Sequence, residues 1–123
     1  MTRIKLNEIT TAELVRRFVR IALDQDSAIR HGDNRKFNRL FKQMDAIKEE
    51  LKSRPGDQRR ALIPLYDHPN TQVRLKSAVS TLAVAPEAAR RELQTIADSR
   101  DYPQAGDAGM TLSALEWGIF KPT

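Results

Sequence analysis

Residues 67–74 read Asp67-His68-Pro69-Asn70-Thr71-Gln72-Val73-Arg74. An acid, a histidine, an asparagine and an arginine this close together suit either a reactive cluster or a corner between two helices. The flanking residues favour the corner. Upstream, Ala61, Leu62 and Leu65 carry an apolar face. Downstream, Val73, Ala78, Val79 and Leu82 recur at helical spacing. Pro69 restricts His68 to extended backbone and so ends the first helix. Asn70 or Thr71 can cap the second. Asp67 can accept backbone donors in the turn.

The corner is repeated. Asp33, Asp67 and Asp101 are each 34 residues apart, and the last two open matching tetrads, Asp67-His68-Pro69-Asn70 and Asp101-Tyr102-Pro103-Gln104. A helix pair cannot cover its own apolar stripe, so pairs at such a period stack on one another, roughly three being needed for stability. The expected fold is all-α: a short α-solenoid of about six helices in three antiparallel pairs, near 11–53, 58–84 and 87–117. A chain of 123 residues suits one domain, 1–123.

Each helix has readable ends. Thr10-Thr11-Ala12-Glu13 has the form of a capping box. Leu14, Phe18, Ala22 and Ile29 then share a face, and Gly32 supplies a stop, which predicts helix 1 over 11–31. Asn34 can cap helix 2, near 35–53, whose stripe is Phe37, Leu40, Phe41, Met44, Ile47 and Leu51. Asp57 caps a short helix 3 that Pro64 kinks or shortens. Pro86 fits the first position of helix 5. Asp107 is the expected cap of helix 6, which carries Met110, Leu112, Leu115 and Trp117 and stops at Gly118. Gly106 reads as a turn and Gly109 as a close-packing position. No segment shows the period-2 alternation of a strand.

The run Leu62–Leu82 resembles a HEAT repeat, with its proline in the first helix, its turn acid, and a Val-Arg pair opening the second helix. The resemblance implies that Arg74 pairs with the turn acid, Asp67. A wider resemblance rests on HPNTQVRLKSA (68–78), LAVAPEAARREL (82–93) and PQAGDAGMTLSALEWGIFKP (103–122). These are similar to a small bacterial family of HEAT-like all-helical proteins catalogued as a domain of unknown function. It implies the fold and supplies no catalytic residues.

Composition narrows the chemistry. Without cysteine there is no thiol nucleophile, disulfide or thiolate metal site. The two histidines, His31 and His68, have no ligand partner at i+3 or i+4, so no metal and no cofactor is expected. There is no G-x-S-x-G elbow and no phosphate-binding glycine loop. Glu49 and Glu50, adjacent on a helix, diverge. The N-terminus has no signal-like apolar run, and no stretch approaches the length of a bilayer span. A soluble cytoplasmic protein is expected.

Charge supplies the functional candidates. Residues 1–60 hold 15 basic and 9 acidic side chains, a net +6, while the remainder sums to −1. Arg35, Arg39 and Lys42 share the face of helix 2 opposite its apolar stripe. In a solenoid the second helices line the concave wall, which would bring Arg74 and Lys76 beside them. The function expected is a non-enzymatic protein–protein interaction module, with a regulatory role among those its size allows. Two alternatives stay open. One is a nucleic-acid-associated module using Arg16, Arg17 and Arg20 with helix 2, although the aromatics fall on core stripes or lie apart from the basic residues. The other is a small enzyme at the Asp67/His68 corner. Oligomeric state is open too: an end of the stack that exposes apolar residues can pair with a second copy.

Overall fold

The computed structural model describes residues 5–123. The expectation of no signal peptide falls partly on residues 1–4, which lie outside the described residues. Every regular element among those described is helical. A 3-10 turn at Leu6–Glu8 precedes α1 (Thr11–Arg30) and α2 (Asn34–Ser53). A 3-10 run, Gln58–Asp67, leads to α3 (Thr71–Ser80), α4 (Pro86–Asp98) and α5 (Gln104–Glu116). No described helix is long and apolar enough to cross a membrane.

The chain divides into two compact units, residues 1–61 and 62–123. In the first, α1 packs against α2. Thr10 caps α1 by accepting from the Glu13 amide at 3.1 Å, as the capping box requires. Leu14, Phe18, Ile21, Ala22 and Ala28 of α1 are buried, as are Leu40, Met44, Ile47 and Leu51 of α2. Gly32 turns the chain between them at a φ of 64°, where a Cβ is disfavoured, and the Asp33 amide closes back onto the Ala28 carbonyl at 2.9 Å. The α2 cap is Asp33 rather than Asn34: its carboxylate accepts from the Lys36 amide at 3.1 Å. The corner acid therefore serves as the cap one residue earlier. Phe41 departs from the expected stripe and is 51% exposed. It sits about 100° around the helix from Leu40, beyond the edge of the buried face.

Arg54 ties the N-terminal segment to the end of α2. It donates to the Leu6 and Ile9 carbonyls at 3.0 and 2.6 Å and to the Thr11 hydroxyl at 3.1 Å, and pairs with Glu50 at 2.9 Å. Asp57, at a φ of 51°, caps the 3-10 run that begins at Gln58. Its carboxylate accepts from the Arg59 amide at 3.3 Å and grips the buried Arg59 guanidinium at 2.9 and 2.6 Å.

The expected third helix is a 3-10 run rather than a kinked α-helix. Pro64 lies inside it, and a proline offers no N–H to an α-helical ladder and collides with the carbonyl four residues back. The second unit is built on α3, α4 and α5, with α3 packing on α4 and α5 and α4 packing on α5. Leu75, Ala78, Leu82, Ala89, Leu93, Ile96, Ala108 and Leu115 form its core. Pro86 opens α4, as its spacing predicts. The last helix begins at Gln104, so Asp107 lies inside it and is not its cap. Gly106 and Gly109 are likewise helical, and a Cβ at Gly109 would meet nothing within 4 Å, so neither the turn nor the close packing expected of them is found.

Candidate interaction surfaces

Arg35, Arg39 and Lys42 are exposed on α2, on the side away from Leu40, Met44, Ile47 and Leu51. They differ from the other basic group of this unit. Arg16 lies 2.7 Å from the Glu13 carboxylate and Arg17 lies 3.8 Å from it, so one acid partly neutralises both. Arg20 is exposed beside them. Among the described residues, none of Arg35, Arg39 and Lys42 forms an ion pair within 4 Å, so their charge is directed at solvent.

Arg74 and Lys76 belong to the second unit, and neither presents a freely solvated charge. Lys76 is half-buried in a shallow groove with Val79, Asp107 and Met110. Arg74 does not pair with Asp67, as the HEAT resemblance implies. Its Nη1 lies 3.7 Å from Glu92 Oε2, and its Nη2 donates to the Thr71 hydroxyl at 3.1 Å. Glu92 lies on α4, which packs directly on α3, whereas Asp67 is exposed at the end of the 3-10 run.

The corner itself is held by local bonds. His68 Nδ1 accepts from the Asn70 amide at 3.0 Å, and Asn70 Oδ1 caps α3 by accepting from the Val73 amide at 3.1 Å. The imidazole is thus engaged by backbone through Nδ1. Among the described residues no hydrogen bond joins it to the Asp67 carboxylate. Within these same residues no three His, Asp or Glu side chains converge as metal ligands.

Behind the corner lies a polar network that the sequence does not announce. Thr71 donates to the Asp101 carboxylate while accepting from Arg74. Tyr66 and Thr81 share a hydrogen bond, and the buried Gln104 amide donates to Gln72 at 3.1 Å. Burial pushes the Glu92 carboxyl above the usual carboxylate range, Arg74 opposes that rise and Asp67 adds to it. Burial also raises the Tyr66 phenol, against its hydrogen bond with Thr81. The 34-residue spacing of Asp67 and Asp101 hints that Asp101 is a corner residue. Nothing in the spacing links Arg74 to Glu92.

A second surface is apolar. On α5, Ala105, Ala108 and Leu115 face the core, which turns Gly106, Gly109, Met110, Ser113, Ala114 and Trp117 outward. Together with Tyr102 and Ile119 they line an open groove that contains no charged side chain. Met110, Trp117, Ile119 and Tyr102 are 72%, 78%, 81% and 69% exposed. The sequence groups Met110 and Trp117 with Leu112 and Leu115 on this helix. In the structure Leu112 and Leu115 pack on the core of the second unit with Ala108, and Met110 and Trp117 lie outside it. Gly118, at a φ of 71°, ends the helix, and the Ile119 amide closes onto the Ala114 carbonyl at 2.9 Å, leaving Ile119 beside Trp117.

Comparison with known proteins bears on fold and family. The chain is similar to a solved structure, the crystal structure of the protein RPA1889 from Rhodopseudomonas palustris CGA009, with 49% identity over 98% of this chain and 100% of that one and a TM-score of 0.95. No curated protein matches. A family described as Domain of unknown function (DUF2019) matches residues 12–116. That match spans most of the all-helical chain, including α1 to α5 except Thr11 and most of the resemblance read from residues 68–122, and this chain belongs to that family.

Proposed function

We propose that this protein is a non-enzymatic, cytoplasmic protein-interaction module of HEAT-like solenoid type, which takes an acidic partner on the basic face of α2. One observation carries the reading: Arg35, Arg39 and Lys42 are exposed together opposite the buried stripe of α2 and make no ion pair among the described residues. Cations left without internal partners attract an acidic surface and speed its encounter. A regulatory role suits a module that binds without transforming its partner.

A nucleic acid is the second reading, and Phe41 favours it. Its ring is half-exposed on the same helix as the three cations, where a base could stack. Affinity capture from a bacterial lysate separates the two. The samples are nuclease-treated and untreated, at low and high salt, with an Arg35→Glu/Arg39→Glu/Lys42→Glu chain as control. A single protein retained through nuclease and salt, and lost with the triple variant, supports the module. Nucleic acid that washes off steeply with salt supports the second reading, since each phosphate contact releases counterions.

A further inference from the structure

The apolar groove on α5 needs a different occupant from the basic face of α2, since it carries no charge to meet an acidic partner. We propose that a second copy of this chain covers it, with α5 of one copy packed antiparallel on α5 of the other.

Area is the first argument. A large side chain presents roughly 150–250 Å2, so the exposed fractions of Tyr102, Met110, Trp117 and Ile119 leave on the order of 600 Å2 of apolar surface in the groove. That approaches the roughly 800 Å2 that each partner contributes to a standard interface, and reaches the top of what a monomer ordinarily leaves exposed in one patch.

Self-complementarity is the second. A two-fold interface requires that whatever residue i meets on j, j also meets on i. A dyad between Thr111 and Leu112 sets Trp117 of one copy over Gly106 of the other, Met110 over Ser113, and Gly109 over Ala114. Trp117 and Met110 then each meet a small residue, in both directions. The contact runs along about 16 Å of helix, from Gly106 to Trp117. The backbone there is open to close approach: a Cβ on Gly109 would touch nothing within 4 Å, and one on Gly106 would touch only the Tyr102 ring, at 3.8 Å. The flanking acids, Asp107 and Glu116, lie outside the groove, so the two copies do not oppose like charges at its centre.

Sedimentation velocity across a concentration series tests this directly. The expected result is a monomer–dimer equilibrium with a dissociation constant on the order of micromolar. Trp117→Glu and Met110→Glu alter exposed side chains, so the fold persists by circular dichroism while self-association weakens at least about ten-fold. Arg35→Glu/Arg39→Glu leaves it unchanged. The absence of cysteine allows the register to be read. A Ser113→Cys chain keeps Met110 and Trp117 and oxidises to a covalent dimer, because the two copies of this position lie about 4.5 Å apart along the helix axis, either side of the dyad. A monomer at every concentration overturns the proposal and assigns the groove to an apolar segment of a different protein. A dimer that survives both α5 variants, or a Ser113→Cys chain that does not cross-link, overturns it as well.

Discussion

The hydroxyl of Thr71 donates to the carboxylate of Asp101, a residue 30 positions further along the chain. Thr71 opens α3 and Asp101 precedes α5, so this single bond links the starts of two helices. The same hydroxyl accepts from Arg74, which lies against Glu92 on α4. One polar chain, Glu92, Arg74, Thr71 and Asp101, therefore joins α4, α3 and the approach to α5 beside the apolar cluster of the second unit.

Replacing Thr71 by Val keeps the shape and removes the link. The half-buried Arg74 guanidinium loses a partner, where an unsatisfied polar group costs roughly 1–3 kcal/mol, and the exposed Asp101 carboxylate turns to water. Thr71→Ser, which retains the hydroxyl, should recover most of that loss. Urea denaturation of the two variants checks it. Destabilisation by Ser with none by Val would show that the methyl group and not the hydroxyl matters.

Arg54 should be irreplaceable by Lys. Its planar fork reaches the Leu6 and Ile9 carbonyls, the Thr11 hydroxyl and Glu50 at once, which a single ammonium cannot do. Arg54→Lys is expected to cost about 2 kcal/mol and to release the segment before α1. Hydrogen exchange of the amides at 6–10 reads this as a loss of protection, with α4 and α5 unaffected.

Stability should fall in acid partly through Asp57. Its hydrogen bond to Arg59 is the main cause that holds the carboxyl below its ordinary value. A depressed native pKa means that the unfolded chain binds the proton more readily. The stabilisation is therefore present above the unfolded value, near pH 4, and is lost as pH drops through the lower native one. Asp57→Asn tolerates the φ of 51° and removes that acid limb. Denaturation midpoints measured from about pH 2 to pH 6 should then show a shallower decline than in the parent chain.

Glu92 should act in the opposite sense. Burial holds its carboxyl above the unfolded value, so the native state keeps its proton to higher pH. Its contribution is largest below the unfolded pKa and declines as pH rises through the raised one. Glu92→Gln should flatten that decline: near neutrality it removes a charge whose burial cost exceeds the attraction of Arg74, at the expense of that one contact. Comparing midpoints of the variant and the parent across about pH 4 to 7 isolates the two effects.

Two glycines should respond oppositely to alanine. At Gly109, inside α5 with open space around it, alanine should add about 0.5–1 kcal/mol by lowering the entropy of the unfolded chain. At Gly118, with a φ of 71°, it should cost about 1–2 kcal/mol. Urea titrations in dilute solution check both signs.

What the sequence determines by itself is local. Thr10, Asn70 and Pro86 take the capping and first-turn places their types dictate, because a cap is a contact over three or four residues. Gly32 and Gly118 stop their helices for the same reason. The buried stripes of α1 and α2 follow from periodicity, apart from Phe41 at the edge. Tertiary packing decides the rest. The 3.6-residue period shows that α5 has faces, but several of its faces are small or apolar, so only the fit against α4 selects the inward one and leaves Met110 and Trp117 outside. Likewise Arg74 had acids at hand in its own corner, and it is the approach of α4 that brings Glu92 within 3.7 Å and turns a surface cation into an internal tie. A charge or an apolar stripe is legible in the chain; its partner is a long-range contact, set by how whole helices pack.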